Sequence, residues 1–291
     1  MQGNQSIINI AAYKFITLND FTLKKQEFKD LCNILKIKGT ILLSSEGINF
    51  FLAGSRNSIN TFVLKLRQDN RFFDIKIKVS ISKSQPFRRM LVRLKKEIIT
   101  MKNPTIRPEN TRAPSINSIK LKSWIEKGSD DQGKKIILID TRNAFEVSLG
   151  TFKNALNLNI KKFSDFPNKI KSYKNFLKNK TLITFCTGGI RCEKAALYMK
   201  NIGYLNVFQL DGGILKYFEE VGGLYFEGNC FVFDHRTALN FKLEETSLSQ
   251  CYACRSILTE EDQKSAFFLK GNFCHNCYKS KKNILIKEES F

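Results

Sequence analysis

The second half of the chain alternates short, almost continuously apolar runs with segments of helical periodicity. The apolar runs have the length of strands and lie at residues 136–139, 181–185 and 206–210. The helical patterns cover residues 117–127, 191–201 and 214–221. Strands that are apolar on both faces are typical of a parallel sheet with helices packed on both sides. We therefore predict an α/β domain of this kind at residues 116–226.

The first part of the chain has a different pattern. A β-rich start at residues 7–16 is followed by an amphipathic run, two apolar strands at residues 40–43 and 48–53, and a second helical run. Strict alternation of apolar and polar residues over positions 75–81 then predicts a last strand. The resulting order, βαββαβ, is that of a ferredoxin-like (acylphosphatase-like) split-βαβ domain, which we place at residues 1–84.

Charge adds a constraint on partners. The chain carries 48 Lys and Arg against 27 Asp and Glu, a formal charge of +21, and about half of this excess falls in the first hundred residues. A positive field of this size concentrates polyanions, either nucleic acid or an anionic membrane surface. Residues 85–115 are basic and hold four of the five prolines. Because proline disrupts helices and sheets, we predict a basic connector there rather than a core element.

The roles that the cysteines can take depend on whether the compartment of the protein is oxidising or reducing. No apolar run approaches the roughly 18 residues that a membrane span needs, and the N-terminus lacks a secretory signal pattern. We therefore expect a cytoplasmic protein without a membrane partner. Eight cysteines in such a reducing compartment do not indicate a disulfide scaffold. They are candidates for metal ligands, a nucleophile or small buried hydrophobic residues, and we expect this last role for Cys32 and Cys230.

The sharpest local signal is a loop that follows a predicted strand and opens a helix. Its residues are Cys186, Thr187, Gly188, Gly189, Ile190 and Arg191. In an open α/β sheet, ligands bind at the carboxyl ends of strands. Loop N–H groups and the positive end of the helix favour a thiolate, lowering a cysteine pKa from about 8.5 into the range of about 3.5 to 7.5. We expect a thiolate or persulfide at Cys186, the alternative being a buried structural cysteine.

This segment resembles the active-site loop of rhodanese domains. Other rhodanese-like landmarks are Asp140-Thr-Arg142 at a strand end, Glu146, and residues 150–155 and 209–214. The loop cysteine of that family carries a persulfide, which the resemblance implies for Cys186. Phosphatases that share the fold have one more residue between cysteine and arginine. Because four residues separate Cys186 from Arg191, sulfur-sized chemistry is favoured over phosphoryl transfer.

Four further residues are candidates to support the loop. Cys192 could resolve an oxidised Cys186 as a disulfide, or it could simply pack within a helix. Arg142, beside Asp140, could orient the loop through Glu146 or Glu193, and a surface ion pair is the alternative.

Two C-x-x-C pairs, nineteen residues apart, lie in the C-terminal extension at residues 227–291. Their cysteines are Cys251, Cys254, Cys274 and Cys277. Four thiolates at this spacing can close a tetrahedron around zinc, so we predict a structural zinc ribbon, with a degenerate or redox-labile pair of knuckles as the alternative. A filled four-sulfur site leaves no open position for substrate. We interpret His275 as a spacer rather than a ligand.

The order of these features along the whole chain resembles the bacterial rhodanese-domain tRNA uridine hydroxylases. The matching segments are residues 46–49, 86–101, 186–194 and 228–236, followed by the cysteine pairs. The resemblance implies a monooxygenase that hydroxylates C5 of the wobble uridine with molecular oxygen as co-substrate, and no protein partner. No segment is typical of a flavin, haem or non-haem iron site, so we expect no organic cofactor. A plain sulfurtransferase and a non-catalytic tRNA-binding adaptor are the alternatives.

The resemblance to tRNA-modifying enzymes also gives part of the positive charge a role in tRNA binding. Candidates for phosphate contacts in the connector are Arg88, Arg89, Arg93, Lys95 and Lys96. Each alone is better explained as a solvated surface residue, and the clustering is what favours a role in binding. The wobble base in the anticodon loop would be splayed out and stacked on an aromatic side chain.

Overall fold

The chain forms two α/β domains followed by a small cysteine-rich segment. A computed structural model describes residues 6–251, 253–269 and 272–278. The elements of the N-terminal domain are β1 (Ile7–Phe15), α1 (Phe21–Ile34), β2 (Lys38–Ser44), β3 (Gly47–Gly54), α2 (Arg56–Arg67), a 3₁₀ turn (Asn70–Phe72), β4 (Lys78–Ser82) and β5 (Met90–Leu94). The first six regular elements follow the βαββαβ order, and the sheet order is β4-β1-β3-β2-β5. This confirms the predicted ferredoxin-like arrangement.

The two faces of this sheet have different roles. Residues that alternate along the strands, among them Ile10, Ile41 and Phe50, are buried in a core with the apolar sides of α1 and α2. The opposite face carries Ala11, which lies across from Phe51 in the antiparallel β1–β3 ladder. Among the described residues, both helices of this domain pack on the first face, and the second face lines a cleft together with residues of the second domain.

Strand β5 is a correction to the predicted connector. Residues 90–94 pair in parallel with β2, and Val92 is buried in the N-terminal core. The expectation that proline excludes this stretch from the core is wrong there, because Pro86 and Pro104 stand before and after the strand and not within it. The strand itself, Met-Leu-Val-Arg-Leu, has ordinary strand composition.

The second domain is built on a parallel sheet. Its elements are β6 (Ser115–Ile116), α3 (Ser118–Lys127), β7 (Ile136–Asp140), α4 (Ala144–Val147), β8 (Gly150–Phe152), β9 (Leu156–Asn157), a 3₁₀ turn (Phe163–Asp165), α5 (Phe166–Lys171), α6 (Lys174–Leu177), β10 (Thr181–Phe185), α7 (Ile190–Asn201), β11 (Val207–Leu210) and α8 (Gly213–Val221). The sheet order is β6-β11-β10-β7-β9, and every pairing in it is parallel. This confirms the parallel sheet predicted from the apolar runs.

Helices cover both faces of this sheet, as the apolar strands predict. Along β10, Leu182 packs into a core with α5, α6 and α7, whereas the next residue, Ile183, packs into a core with α3 and α8. Alternate residues of one buried strand therefore serve two separate cores.

The C-terminal segment joins the second domain through a strand pairing. Its elements are β12 (Phe226–Gly228), β13 (Cys230–Phe231), β14 (Ala238–Leu239), β15 (Ser249–Gln250), β16 (Ile257–Leu258) and α9 (Glu260–Lys264). Strand β12 pairs with β8, β13 with β14, and β15 with β16. Among the described residues, no helix combines the length and the apolar character that crossing a bilayer requires.

Candidate active site

The cysteine loop lies at the carboxyl end of β10, the middle strand of the parallel sheet. Cys186 directly follows that strand, and Gly189 precedes α7 with a φ of +99°. A Cβ atom on Gly189 would come within 2.9 Å of the Tyr13 hydroxyl. Glycine is therefore required here both by the left-handed backbone and by the close approach of the N-terminal domain.

The Cys186 sulfur is held in an environment that favours the thiolate. The side chain is only 1% exposed, and its Sγ accepts a hydrogen bond from the Gly189 N–H at 3.1 Å. Burial alone would raise the pKa of this thiol, but the Cys192 thiol, the Arg191 charge and the N–H groups of Arg191 and Gly189 outweigh it. Together they lower the Cys186 pKa to about 5. The group is thus a thiolate at neutral pH.

Arg191 is fixed by a buried carboxylate. Its guanidinium donates two parallel hydrogen bonds to Glu146, at 2.6 and 2.7 Å, and both side chains are buried. Glu146 also accepts a hydrogen bond from the Asn143 N–H at the start of α4. A bidentate pair of this kind leaves the arginine with a set position and orientation. Arg191 therefore acts on Cys186 mainly through its charge.

In the structure, the partner of Arg142 is neither of the two glutamates that the sequence suggested. Arg142 contacts Asp140, with Nη2 and Oδ2 at 2.7 Å, and donates a hydrogen bond to the Gly150 carbonyl at 2.6 Å. It pairs neither with Glu146 nor with Glu193, and the pair is fully buried rather than on the surface. The short separation in sequence explains the difference, because the Arg142 side chain folds back onto the end of its own strand.

Cys192 lies behind Cys186 in the first turn of α7. It is fully buried, 3.9 Å from the Thr141 hydroxyl. Burial and the neighbouring Cys186 raise the Cys192 pKa well above its ordinary value, so this thiol keeps its proton. It therefore serves as a hydrogen-bond donor to the Cys186 thiolate, a role that neither sequence interpretation included.

The N-terminal sheet supplies two residues that the sequence patterns did not single out. Lys78, at the start of β4, donates a hydrogen bond to the Gly188 carbonyl at 2.7 Å and lies 5.6 Å from the centre of the Tyr13 ring. The Tyr13 hydroxyl donates to Glu193 at 3.3 Å. Burial and then Glu193 raise the Tyr13 pKa, so the phenol remains protonated. Their only sequence signal is a polar residue within an apolar strand pattern.

A buried ion cluster joins the two domains beside the loop. The Lys194 ammonium, 1% exposed, lies 2.8 Å from a Glu46 oxygen and 2.7 Å from a Glu97 oxygen. Glu46 also accepts a hydrogen bond from the Ile98 N–H at 2.7 Å. Because Lys194 comes from α7 and the two glutamates from the N-terminal part, the cluster fixes the loop helix against the first domain.

A cleft of about 590 Å³ lies between the free face of the N-terminal sheet and the cysteine loop. Cys186, Lys78 and Tyr13 are among the residues that line it. Phe233, which follows β13 and is 47% exposed, also lines the cleft. The centre of its ring lies 5.8 Å from the guanidinium carbon of Arg191. The volume falls within the range of about 300 to 1,000 Å³ that is usual for ligand sites.

The basic connector residues lie along and around the edge strand β5. Arg88, Arg89, Arg93, Lys95 and Lys96 are all exposed. Arg93 lies across from Leu42, which lines the cleft, so both side chains belong to the cleft side of the sheet. Lys102 and Lys162, also exposed, lie at the rim of the same cleft. A band of positive charge therefore runs from β5 to the cleft opening.

The four C-terminal cysteines come together in one cluster. Their sulfur atoms all lie within 4.8 Å of one another, with Cys251 and Cys277 3.9 Å apart and Cys254 and Cys274 3.6 Å apart. A tetrahedron with Zn–S bonds of about 2.3 Å has edges of about 3.8 Å. The cluster thus fits a four-coordinate metal ion such as zinc. His275 is 3.5 Å from Asp262 and is not part of the four-sulfur cluster.

Known proteins match both domains and nearly the full length of the chain. Residues 7–98 match the family described as a UPF0176 acylphosphatase like domain, and residues 120–220 match the rhodanese-like domain family. A tRNA uridine(34) hydroxylase of Cupriavidus pinatubonensis is 54% identical over 93% of this chain and 96% of its own length. The protein of the same name from Paraburkholderia xenovorans is 50% identical over 95% of this chain and 98% of its own.

Proposed function

Because the chain belongs to the tRNA uridine(34) hydroxylase family, we propose that it hydroxylates C5 of the wobble uridine of tRNA. In this proposal it acts in the cytoplasm as a monooxygenase, with molecular oxygen as co-substrate and Cys186 as the catalytic residue. The observation that carries the proposal is the buried Cys186 sulfur, which accepts a hydrogen bond from the Gly189 N–H and lines a cleft of about 590 Å³ that the basic N-terminal domain also lines.

The cleft suits a single base that has left its stack. Bases in single-stranded RNA are recognised by stacking on aromatic rings and by polar contacts to their edges. Phe233 offers a half-exposed ring beside Arg191 and the cysteine loop, and Phe51 lies 6.2 Å from it, ring centre to ring centre. We assign to Phe233 the stacking platform for the wobble uracil, with the loop at the edge of the base.

The backbone of the tRNA would follow the positive band beside the cleft. Arg93 and Lys95 extend from β5, and Lys102 and Lys162 stand at the rim, all exposed. Such residues bind phosphate oxygens without reading the base sequence. In this arrangement the connector provides affinity and the cleft selects the base. Arg88, Arg89 and Lys96 extend the same positive region.

The direct test is a reaction with purified protein. Unmodified tRNA is incubated with the full-length protein in air and under argon, and the nucleosides are then analysed by mass spectrometry. We expect 5-hydroxyuridine at position 34 only in air. Cys186→Ala should abolish it, whereas Cys32→Ala, a buried cysteine in the N-terminal core, should retain it. Full activity of Cys186→Ala would remove this residue from the mechanism, and transfer of sulfur to a small acceptor without 5-hydroxyuridine would favour a sulfurtransferase.

For the cysteine cluster we propose structural zinc. Cys251, Cys254, Cys274 and Cys277 would hold the ion, which would cross-link the C-terminal segment and take no part in the reaction. Metal analysis of protein purified without chelator should give about one zinc per chain. Chelation should expose the C-terminal segment to proteolysis while the two α/β domains remain folded, because structural zinc contributes about 10 to 16 kcal/mol of binding free energy. Protein without metal that resists proteolysis equally would contradict this.

A further inference from the structure

Lys78 and Cys186 line one cleft from two different domains. Lys78 begins β4 of the N-terminal sheet, whereas Cys186 ends β10 of the parallel sheet. A hydrogen bond of 2.7 Å from the Lys78 ammonium to the Gly188 carbonyl holds Lys78 against the loop that begins at Cys186. A base in the cleft would therefore meet a sulfur nucleophile and an ammonium group at the same time.

Lys78 is a cation of the cleft with hydrogen-bonding capacity to spare beside the cysteine loop. An ammonium group has three N–H donors, and within the described part of the chain one of them is used, on Gly188. Arg191 is nearer in sequence, but its bidentate pair with the buried Glu146 fixes the orientation of its guanidinium, whereas the Lys78 ammonium sits at the end of a flexible side chain. Lys102 and Lys162 are exposed at the rim, where phosphate is the natural ligand.

Uracil has a chemical property that suits this pair. Its C5=C6 double bond is conjugated with the C4 carbonyl, so C6 accepts nucleophiles and the negative charge that results collects on O4. A hydrogen-bond donor placed at that oxygen lowers the barrier, as an oxyanion hole does. Addition at C6 also makes C5, the carbon to be hydroxylated, electron-rich.

We propose that Cys186 adds covalently to C6 of the wobble uracil while Lys78 donates a hydrogen bond to O4. The inference rests on the proposed function. The Sγ–C6 bond forms, the C5=C6 π pair moves into a C4=C5 bond, and the C4=O4 π pair moves onto O4. The charge of the thiolate becomes the charge of an enolate, and nothing is oxidised or reduced. Expulsion of the thiolate reverses the step and restores uracil.

The electrostatics of the two groups agree with this geometry. The Cys186 pKa is lowered to about 5, so the nucleophile is ionised at neutral pH. Burial lowers the Lys78 pKa, and the Cys186 thiolate opposes that effect, so the two charges support each other. The charged and titratable groups around the pair include Tyr13, Lys76, Arg191, Cys192, Glu193, Asp211 and Lys216.

Exchange of the C5 hydrogen isolates this step from oxidation. The full-length protein is incubated with unmodified tRNA in D₂O under argon. The enolate takes a deuteron from water at C5 and leaves OD⁻, which then removes the original hydrogen as a proton, and the thiolate departs. We expect U34, and no other uridine, to gain one deuterium by mass spectrometry. Cys186→Ser should abolish the exchange, and Lys78→Met should slow it about 100-fold.

A pH profile distinguishes a catalytic Lys78 from a structural one. The wild-type exchange rate should rise with pH as Cys186 ionises and fall again as the Lys78 ammonium loses its proton. Lys78→Met should lack the alkaline fall, and Lys78→Arg, which keeps a cationic donor, should recover part of the rate. Lys65→Met removes an equivalent charge from the exposed surface of α2 and should exchange at the wild-type rate.

Parallel hydroxylation assays in air keep the two proposals apart. Wild-type protein that forms 5-hydroxyuridine but exchanges no C5 hydrogen overturns the covalent addition and leaves the proposed function intact. Exchange without hydroxylation supports the addition and overturns the proposed function. Lys78→Met that exchanges at the wild-type rate, with a wild-type pH profile, overturns the role of Lys78.

Discussion

At Cys186, a buried sulfur is kept charged by its immediate neighbours and not by solvent. The Arg191 charge, the Cys192 thiol and two backbone N–H groups outweigh the cost of burial. Arg191 can supply its charge at this depth because Glu146 satisfies its guanidinium and neutralises it in part. The reactivity of a single residue thus depends on a buried network that extends to the start of α4.

The ionisation of Cys186 is directly measurable. The difference in thiolate absorbance near 240 nm between wild type and Cys186→Ser should titrate near pH 5, because the cysteines that the two proteins share, Cys254 with its pKa of about 7 among them, cancel in the difference. Cys32 and Cys230 do not interfere, since burial raises the pKa of each to about 12. A lowered folded-state pKa stabilises the fold above the unfolded value, near 8.5. The stability advantage over Cys186→Ser should therefore fall as pH drops from 9 toward 5. A titration near 8.5 would contradict the assigned environment.

At the scale of the element, the loop between β10 and α7 is shaped by what the N-terminal domain places against it. Gly189 combines a φ of +99° with the Tyr13 hydroxyl 2.9 Å from the position of a Cβ atom. Gly128, which ends α3, shares the left-handed backbone, with a φ of +69°, but a Cβ atom there would meet nothing within 4 Å. Substitutions at the two glycines therefore distinguish the effect of backbone strain, which both positions share, from the effect of the contact between domains, which only Gly189 makes.

Alanine at these two glycines should have different consequences. Both substitutions cost about 1 to 2 kcal/mol of folding free energy, because an L-residue resists a left-handed backbone. Gly189→Ala should in addition displace Tyr13 and the loop, and lower hydroxylation about 100-fold, since misplacement by about 1 Å can cost that much. Gly128→Ala should keep wild-type turnover. Unfolding curves and initial rates measure the two effects, and equal rates for both variants would contradict a loop shaped by Tyr13.

Hydrophobic periodicity predicts individual helices and strands better than it predicts which distant parts of the chain contact them. The alternating strand and helix patterns define both sheets and the cysteine loop, because each is a local property of the chain. Strand β5 is hidden from such a prediction because the proline content of residues 85–115 as a whole indicates a connector, although the prolines flank the strand. The strand pattern does not assign Lys78 and Tyr13 to the site, since more than a hundred residues separate them from the loop that they contact.

At the scale of the whole molecule, the cleft exists only while the two domains stay in register. Lys194 is the buried cation of the interdomain cluster, and Glu46 and Glu97 are its partners. Breaking such a cluster by removing one member leaves uncompensated charge, whereas neutralising every member together is far less costly. The cluster therefore fixes the relative position of the domains more than it adds to net stability.

Variants of this cluster test that distinction. Lys194→Met should destabilise the protein by about 3 kcal/mol, which lowers the melting temperature by about 6 to 12 °C for a chain of this size. The triple variant Lys194→Met, Glu46→Gln and Glu97→Gln should melt closer to wild type, because glutamine can still accept the backbone N–H bonds. Differential scanning calorimetry compares the three proteins. A triple variant that melts lower than the single one would show that the charges themselves provide the stability.

The charge of +21 acts on the whole molecule, but the proposed tRNA contacts occupy one side of it. Each phosphate neutralised contributes about 0.7 to 0.9 to the slope of log affinity against log salt concentration. Arg93→Glu with Lys95→Glu should therefore reduce that slope by about 1.5 in tRNA-binding titrations. Lys25→Glu with Lys29→Glu makes the same change in net charge on the exposed side of α1, which covers the opposite face of the sheet.

The control pair decides between a local surface and a general field. If tRNA lies along β5 and the cleft, the Lys25 and Lys29 variant should keep the wild-type slope, because those lysines neutralise no phosphate. A general field would respond to net charge alone. Equal losses of slope in the two variants would therefore contradict the proposed path of the tRNA, while a loss confined to Arg93 and Lys95 places the phosphates beside the cleft that holds Cys186.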